Sequence, residues 1–346
     1  MKLSLYLDTA ICLDAENPER DLKQFLLQQI TSLDPSVFSR LEQDIAIVSG
    51  LQETILAVVQ RKNYCEEFLF LPEGTVLVLE IVVPGALVQQ FGKRINDGTL
   101  RIGHNRSLGY GLCHIFGQDE TFKRNFIRYI LEATVADGIL AQGGVLLCEQ
   151  VKDHELKGSV FAKDIMGRTI VPAATIKGAI RAQCQRLAAY FGMAEDVIDH
   201  MFGSRAKEID AGVVFYDALI TDAKEKASFR CHVDKLTGGV FGDGTGQMVS
   251  LYQTGKLQMT WDVLPLQNDI DVTAIHKLLL CVSQDIQQKR LSFGRGRGIG
   301  KGFLDVRQVT IDLPQEEQVV INYETAEVID PAGWISRQWN RIMQSE

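Results

Sequence analysis

The chain has 346 residues, enough for two domains with cores of their own, and its 46% hydrophobic and 23% charged residues are ordinary for a globular protein. Its net charge of −8 argues against a free-standing nucleic-acid binder, although a subunit with local basic loops is compatible with it. The absence of a membrane-length apolar run, a signal-peptide pattern and any C-x-x-C pair predicts a cytoplasmic protein without membrane contact, zinc site or disulfide framework.

Residues 1–122 form a first predicted module of strands and helices. Alternation of apolar residues predicts a strand, and recurrence every three to four residues predicts a helix. On this basis strands are predicted over 2–7, 66–71 and 76–83, and helices over 21–33, 36–41 and 86–95. The strongly apolar stretch 46–59 fits a strand followed by a helix, but its pattern alone does not decide the assignment.

Residues 123–346 form a second predicted module with a C-terminal helical tail. Its clearest element is a helix over 175–191, which Thr175 is placed to cap and Gly192 to end. Strands are predicted over 125–135 and 213–220, a hairpin over 248–252 and 256–264, a helix over 272–286, a strand from 303 and a tail helix containing Trp334 and Trp339.

The stretch 291–306, LSFGRGRGIGKGFLDV, is the most informative in the chain. Its glycines and basic residues alternate: Gly294, Arg295, Gly296, Arg297, Gly298, Gly300, Lys301 and Gly302. Glycine permits positive φ and close backbone approach, and the interleaved cations predict contact with a polyanion. Neither the dinucleotide fingerprint nor the nucleotide-triphosphate loop fits, because every register lacks a required residue and a strand follows in place of a helix.

The stretch 103–112 repeats this loop. Gly103, Arg106, Leu108, Gly109 and Gly111 align with Gly294, Arg297, Ile299, Gly300 and Gly302. The flanks repeat as well, since each loop follows a strand, a proline and a predicted helix. A repeat of this length indicates two related modules.

The helix over 175–191 carries two cations near its start. Lys177 and Arg181 are four residues apart and therefore share one face. Two interpretations stay open from the residues alone: the charges are solvated, or they hold a phosphate together with the free amides of the helix start.

Four segments together resemble the RAMP superfamily of CRISPR-associated proteins, and residues 127–306 resemble the backbone subunits of type III effector complexes. The segments are IVP and TIKGAIR at 170–181, FG at 202–203 with VVFYDA at 213–218, HVDKLTG at 232–238, and the glycine loop at 294–306. The first module matches only through its glycine loop and the preceding elements.

The resemblance implies an α+β fold of two ferredoxin-like modules in tandem, each a βαββαβ unit with an antiparallel sheet and helices on one face. It implies a guide RNA backbone lying on the glycine loops and the helix start, with target RNA and other RAMP-type subunits as further partners. The segment 232–237 would be the thumb that separates bases of the guide–target duplex. The implied RNA-binding residues are Lys177, Arg181, Thr175, Gly294, Arg295, Gly296, Arg297, Gly298, Lys301, His104, Asn105, Arg106, His232 and Lys235.

Cleavage is the alternative. Target-cleaving members of the family carry an aspartate where Gly158 stands here, so the resemblance predicts binding without cleavage and no cofactor. Asp153 and Glu155 lie just upstream and would hold a divalent metal such as Mg²⁺ in a metal-dependent endoribonuclease. His154 or His232 would be the base of a guide-processing ribonuclease.

Overall fold

The computed structural model describes residues 2–31, 45–51, 55–60, 65–81, 85–115, 124–141, 145–147, 161–204, 206–231, 236–239, 247–265, 271–314 and 317–340. Several predictions fall outside these ranges. They are the helix over 36–41, the catalytic alternatives Asp153, His154 and Glu155, and the thumb residues His232 and Lys235.

The first half of the chain, residues 2–115, alternates short strands with two long helices. In chain order its elements are β1 (Lys2–Leu7), β2 (Ile11–Asp14), α1 (Pro18–Thr31), β3 (Ile45–Ser49), β4 (Ile55–Gln60), β5 (Cys65–Leu71), β6 (Val76–Ile81), α2 (Gly85–Asn96) and β7 (Cys113–Ile115). Helix α1 begins at Pro18, directly after Asn17, whose side chain accepts a hydrogen bond from the Arg20 amide at 3.2 Å.

The second half, residues 124–340, has longer strands. Its elements are β8 (Ile127–Ile139), β9 (Val145–Leu147), β10 (Ile170–Val171), α3 (Ala173–Tyr190), α4 (Glu195–Phe202), β11 (Val213–Phe215), β12 (Ala218–Cys231), β13 (Gln247–Val263), α5 (Val272–Gln287), β14 (Asp305–Asp312), β15 (Gln318–Asn322), β16 (Glu327–Ile329) and α6 (Trp334–Asn340). Helix α5 is capped by Asp271, which accepts from the Ala274 amide at 3.0 Å.

The strands form three antiparallel sheets. One has the order β3–β6–β1–β7, and the largest has the order β10–β12–β13–β8–β14–β15–β16, with β11 also paired to β13. The third, β2–β5–β4–β9, joins the two halves because β9 comes from the second. The predicted mixed α+β class with antiparallel sheets is confirmed.

Each half has its own apolar core. In the first, α1 and α2 pack on the β3–β6–β1–β7 sheet through side chains such as Leu26 and Phe91. In the second, α3 and α5 pack on the large sheet, where Tyr129 and Trp261 stack with ring centroids 5.6 Å apart. Alternate residues of β8 are buried, as expected for a strand with one face on a core.

The two main sheets repeat the same strand pairing. In the first half, Leu5 of β1 lies opposite Leu77 of β6 on one side and Ile115 of β7 on the other. In the second half, Ala133 of β8 lies opposite Leu257 of β13 and Val306 of β14. In both halves a helix follows the first strand, and another joins the third strand to the fourth.

The stretch 46–59, which its pattern left undecided, contains no helix in its described residues, because β3 pairs with β6 and β4 pairs with β5. Two predicted elements were wrong. The predicted hairpin over 248–264 is one continuous strand, β13, because β12 and β8 pair along its two sides. The predicted strand over 213–220 is divided at Tyr216 and Asp217 into β11 and β12.

The predicted cap of the clearest helix was also wrong. Helix α3 begins at Ala173, and its N-cap residue is Pro172, whose side chain makes no capping hydrogen bond. Thr175 lies inside the first turn.

Candidate nucleic-acid interface

The second glycine loop, residues 294–302, is a short 3₁₀ turn held between left-handed glycines. The turn spans Arg297–Ile299, with Gly296 at φ 91° and Gly300 at φ 77° on either side. Residues with a Cβ rarely adopt this backbone conformation, so the glycines fix the course of the loop.

The base of the second loop is bonded to the end of β8. The Arg295 amide donates to the Leu140 carbonyl at 2.8 Å, and the Gly302 amide donates to the Gly138 carbonyl at 2.9 Å. A Cβ on Gly302 would lie 2.0 Å from the Phe293 carbonyl oxygen, so only glycine fits there. The loop therefore has a defined position at this end of the large sheet.

The basic side chains of the second loop differ in exposure and in whether they already have a partner within the protein. Arg295 and Arg297 are exposed and form no ion pair within the part of the chain that the structure describes. Lys301 is half-buried: its Nζ donates to the Asp137 carbonyl at 2.6 Å and lies 5.2 Å from the centroid of the Tyr252 ring. The two arginines are thus available to an external anion, whereas Lys301 already has an internal acceptor.

The first glycine loop, residues 103–111, has the same backbone. Its 3₁₀ turn, Arg106–Leu108, lies between Asn105 at φ 54° and Gly109 at φ 90°. The His104 amide donates to the Cys12 carbonyl at 2.8 Å, and the Gly111 amide to the Ala10 carbonyl at 2.9 Å. These bonds correspond one by one to those of the second loop, so the alignment of the two loops made from the sequence is confirmed.

Three polar side chains of the first loop have partners within the first half. His104 Nε2 lies 3.0 Å from the Asp21 carboxylate in the first turn of α1. The Arg106 guanidinium lies 5.2 Å from the centroid of the Phe25 ring, and Asn105 Nδ2 donates to Cys12 Sγ at 3.4 Å.

The start of α3 is bonded to an acid that the sequence analysis missed. Asp217, at the break between β11 and β12, accepts a hydrogen bond from the Ala173 amide at 2.7 Å. Burial raises the pKa of Asp217 to about 6, against the lowering effect of this backbone hydrogen bond. Tyr110 of the first loop is hydrogen-bonded to the same carboxylate, and burial raises its pKa well above the usual value. The only signal in the sequence was an aspartate inside an apolar run.

Lys177 and Arg181 lie side by side on α3 but have different neighbours. Lys177 is half-buried, and its Nζ donates to the Ser107 hydroxyl of the first loop at 3.0 Å. Burial, with a smaller effect from Arg181, lowers the pKa of Lys177 to about 8. The Arg181 guanidinium lies 5.9 Å from the centroid of the Phe202 ring.

Backbone hydrogen bonds link the base of the second loop to the segment that leads into α3. The loop is bonded to residues 138–140, where β8 ends, and the chain returns from there to α3. Along this return the Ala162 amide donates to Ala141, and the Ile170 amide donates to Ala162. These hydrogen bonds connect the base of the second loop, through residues 141 and 162, with the strand β10 that precedes α3. The first loop lies beside α3, where Ser107 contacts Lys177.

Among the described residues, no group of three or more His, Cys, Asp or Glu side chains is arranged to hold a metal ion. In the same residues, no helix is long and apolar enough to cross a membrane.

A family model matches this part of the chain. Residues 141–305 match the model of the RAMP superfamily. The matched residues contain α3, the β11–β12 break, β13, α5 and the second loop. The resemblance to the RAMP superfamily predicted from the sequence is confirmed for this part of the chain. No curated protein matches the chain.

Similar solved structures include a chain from "Cryo-EM structure of the Type III-B Cmr-beta bound to cognate target RNA", at 17% identity and a TM-score of 0.37. That match covers 54% of this chain and 61% of the other, which is less than two thirds of the other chain's length. A chain of a "CRISPR RNA-guided surveillance complex" matches at 14% identity with a TM-score of 0.33, covering 54% of this chain and 68% of that chain. A chain of a "CRISPR RNA-guided surveillance complex, pre-nicking" matches at 11% identity with a TM-score of 0.36, covering 54% and 75%.

Proposed function

We propose that this protein is an RNA-binding subunit of a type III-like CRISPR effector ribonucleoprotein. It holds the backbone of a guide RNA on the second loop and works with target RNA and other RAMP-type subunits. The RAMP superfamily match over residues 141–305 supports the class of protein. The proposal assigns binding without cleavage and needs no cofactor.

The proposal includes two ferredoxin-like modules in tandem. Its support is that both halves repeat one chain order: strand, helix, two strands, helix and strand. The four strands of each unit form the sheet orders β3–β6–β1–β7 and β12–β13–β8–β14. In each, the first strand lies between the third and the fourth. RNA-recognition sheets have this architecture.

One observation carries the assignment of RNA to the second loop. Two loops with the same backbone differ in the partners of their cations. In the first loop, His104 faces the Asp21 carboxylate, whereas Arg295 and Arg297 of the second loop have no carboxylate partner among the described residues. Exposed arginines on a rigid loop are suited to phosphate oxygens, which contact proteins chiefly through such groups.

The test measures RNA affinity at several salt concentrations. Binding of a fluorescent single-stranded RNA is compared for the wild type and for the double variant Arg295→Ala with Arg297→Ala. We expect weaker binding to all sequences, and a log–log salt slope reduced by about 0.7 for each lost phosphate contact. The two lost contacts therefore reduce the slope by about 1.4 in total.

A matched control is Arg307→Ala. Arg307 is an exposed arginine of β14 that pairs with Glu324 at 3.0 Å, so unlike Arg295 and Arg297 it already has a carboxylate partner. Its loss should leave the slope unchanged. If the double variant has the same slope as the wild type, the second loop does not contact RNA and the proposed function fails.

A further inference from the structure

We propose that the first loop is a docking element for the second half of its own chain, and that it leaves contact with RNA to the second loop. This inference rests on the proposed function. It gives two loops of identical backbone different partners: residues 103–111 bind protein within the chain, and residues 294–302 bind the phosphate backbone of RNA.

The basic side chains of the first loop already have partners within the first half. His104 is close to Asp21 and Arg106 lies against Phe25, both on α1. The equivalent residues of the second loop, Arg295 and Arg297, are exposed. A phosphate at the first loop would therefore have to compete with a carboxylate 3.0 Å from the histidine.

The other side of the first loop is packed against the second half. A Cβ added to Gly109 would lie 2.6 Å from Cδ1 of the Tyr216 ring and 3.1 Å from the Phe215 carbonyl oxygen. Leu108 packs on the core of the second half. At the equivalent positions of the second loop, Gly300 has no atom within 4 Å of an added Cβ, and Ile299 is 44% exposed.

The start of α3, the natural place for a phosphate, is occupied by groups of the protein itself. The Asp217 carboxylate accepts from the Ala173 amide at 2.7 Å, and the Ser107 hydroxyl accepts from Lys177 Nζ at 3.0 Å. A negative group at a helix start is what the free amides and the helix dipole favour. The chain thus supplies internally the anion that RNA would otherwise supply.

Ion pairs across the two halves hold the docked arrangement. Arg101, two residues before the first loop, donates to Tyr216 at 2.6 Å and to Asp262 at 2.7 Å. On the other side of the loop, Arg168 of the second half pairs with Glu73 of the first at 3.1 Å. A cavity of about 170 Å³ remains between the halves, lined by Tyr110, Asp217 and their neighbours.

The first test compares equivalent arginines. Arg106→Ala and Arg297→Ala are measured for RNA affinity and salt slope in the assay above. We expect Arg297→Ala to weaken binding and reduce the slope by about 0.7, and Arg106→Ala to change neither. Equal losses in both variants would overturn the docking role of the first loop. No loss in either would instead refute the proposed function.

The second test compares equivalent glycines, both with positive φ. Gly109→Val adds bulk against Tyr216 as well as backbone strain, whereas Gly300→Val adds only the strain. We expect the first substitution to lower the melting temperature further and to speed hydrogen exchange of the Ala173 amide. Equal melting temperatures and unchanged exchange at Ala173 would overturn the proposal.

Discussion

Arg101 and Asp262 form a buried ion pair, with Nη2 and Oδ2 2.7 Å apart, and they come from different halves of the chain. The Arg101 side chain is 2% exposed and that of Asp262 is fully buried. Arg128 also binds Asp262, at 2.7 Å, and the Tyr216 hydroxyl donates to it. One carboxylate is therefore shared by two guanidinium groups at the junction of the halves.

Asp262→Asn should strongly destabilise the protein. The amide keeps the shape of the side chain but leaves Arg101 and Arg128 without a counter-charge. Removing one partner of a buried pair costs roughly 3–5 kcal/mol, because an uncompensated charge remains inside the protein. The free energy of unfolding, measured by urea denaturation, should fall by about this amount.

An exposed pair provides the control. Asp222 and Lys256 lie 3.0 Å apart, and their side chains are 66% and 69% exposed. Asp222→Asn should change the free energy of unfolding by less than about 1 kcal/mol, since water screens such pairs. A comparable loss in the two variants would show that the buried pair has no special role.

Two glycines of the second loop should respond in opposite ways to alanine. Gly302 has φ 78°, and its Cβ would lie 2.0 Å from the Phe293 carbonyl oxygen, so Gly302→Ala should cost at least about 1–3 kcal/mol of stability. Gly298 has open space and no positive φ. Gly298→Ala should be neutral or stabilising by up to about 1 kcal/mol, because it restricts the unfolded chain.

Urea denaturation of the two single variants distinguishes these outcomes. If Gly302→Ala were as stable as Gly298→Ala, the close backbone approach at Phe293 would not exist. The RNA affinity of the two variants should follow the same order as their stability, since a distorted loop misplaces Arg295 and Arg297.

The loops were predictable from the sequence because their backbone is encoded in glycine spacing. Gly103 and Gly111 lie where an added Cβ would come within 2.6 Å and 1.9 Å of a backbone oxygen. Their counterparts Gly294 and Gly302 are equally constrained. A steric requirement this local leaves a visible pattern, and the repeat of that pattern gave the correspondence between the two halves.

The contacts between the halves were not predictable in this way. Phe215 lies opposite Trp261 and Leu219 opposite Gln258, so three residues face two and the strand bulges between them. A bulge redirects side chains, and here it carries Asp217 to the amide of Ala173, 44 residues away in sequence. Periodicity within one strand contains no information about such a distant partner, and the same applies to Ser107 and Lys177.

Asp217 should make the protein less stable as the pH rises from about 4 to 6. Burial raises its pKa to about 6 in the folded state, above the usual 3.8, so the folded state binds the proton more tightly in this window. Asp217→Asn keeps an oxygen for the Ala173 amide but has no charge. Relative to this variant, the wild type should lose about 1–3 kcal/mol of unfolding free energy across the window.

Urea denaturation of both proteins at pH 4, 5, 6 and 7 measures this difference. A difference that stays constant with pH would mean that Asp217 titrates normally and is exposed to water. If the wild type instead lost stability relative to Asp217→Asn as the pH fell, the folded state would favour the charged carboxylate.

His276 should act in the opposite direction. It is 2% exposed on α5, its Nδ1 lies 2.8 Å from the Tyr129 hydroxyl, and burial lowers its pKa to about 4. Between pH 6.5 and 4 the unfolded state therefore binds the proton more tightly, and stability falls as the pH falls, by up to about 3 kcal/mol. The double variant Tyr129→Phe with His276→Phe replaces both partners by apolar rings of similar shape, which avoids leaving an unpaired polar group.

This double variant should lose the acid-dependent part of the unfolding free energy while remaining folded at neutral pH. The single variant Tyr129→Phe keeps the buried histidine and should keep the acid dependence, so it separates the titration from the loss of the hydrogen bond. Because protonating His276 places a charge against the rings of Tyr129 and Trp334, the folded state resists it. The same slope of stability against pH in the double variant and the wild type would contradict this account.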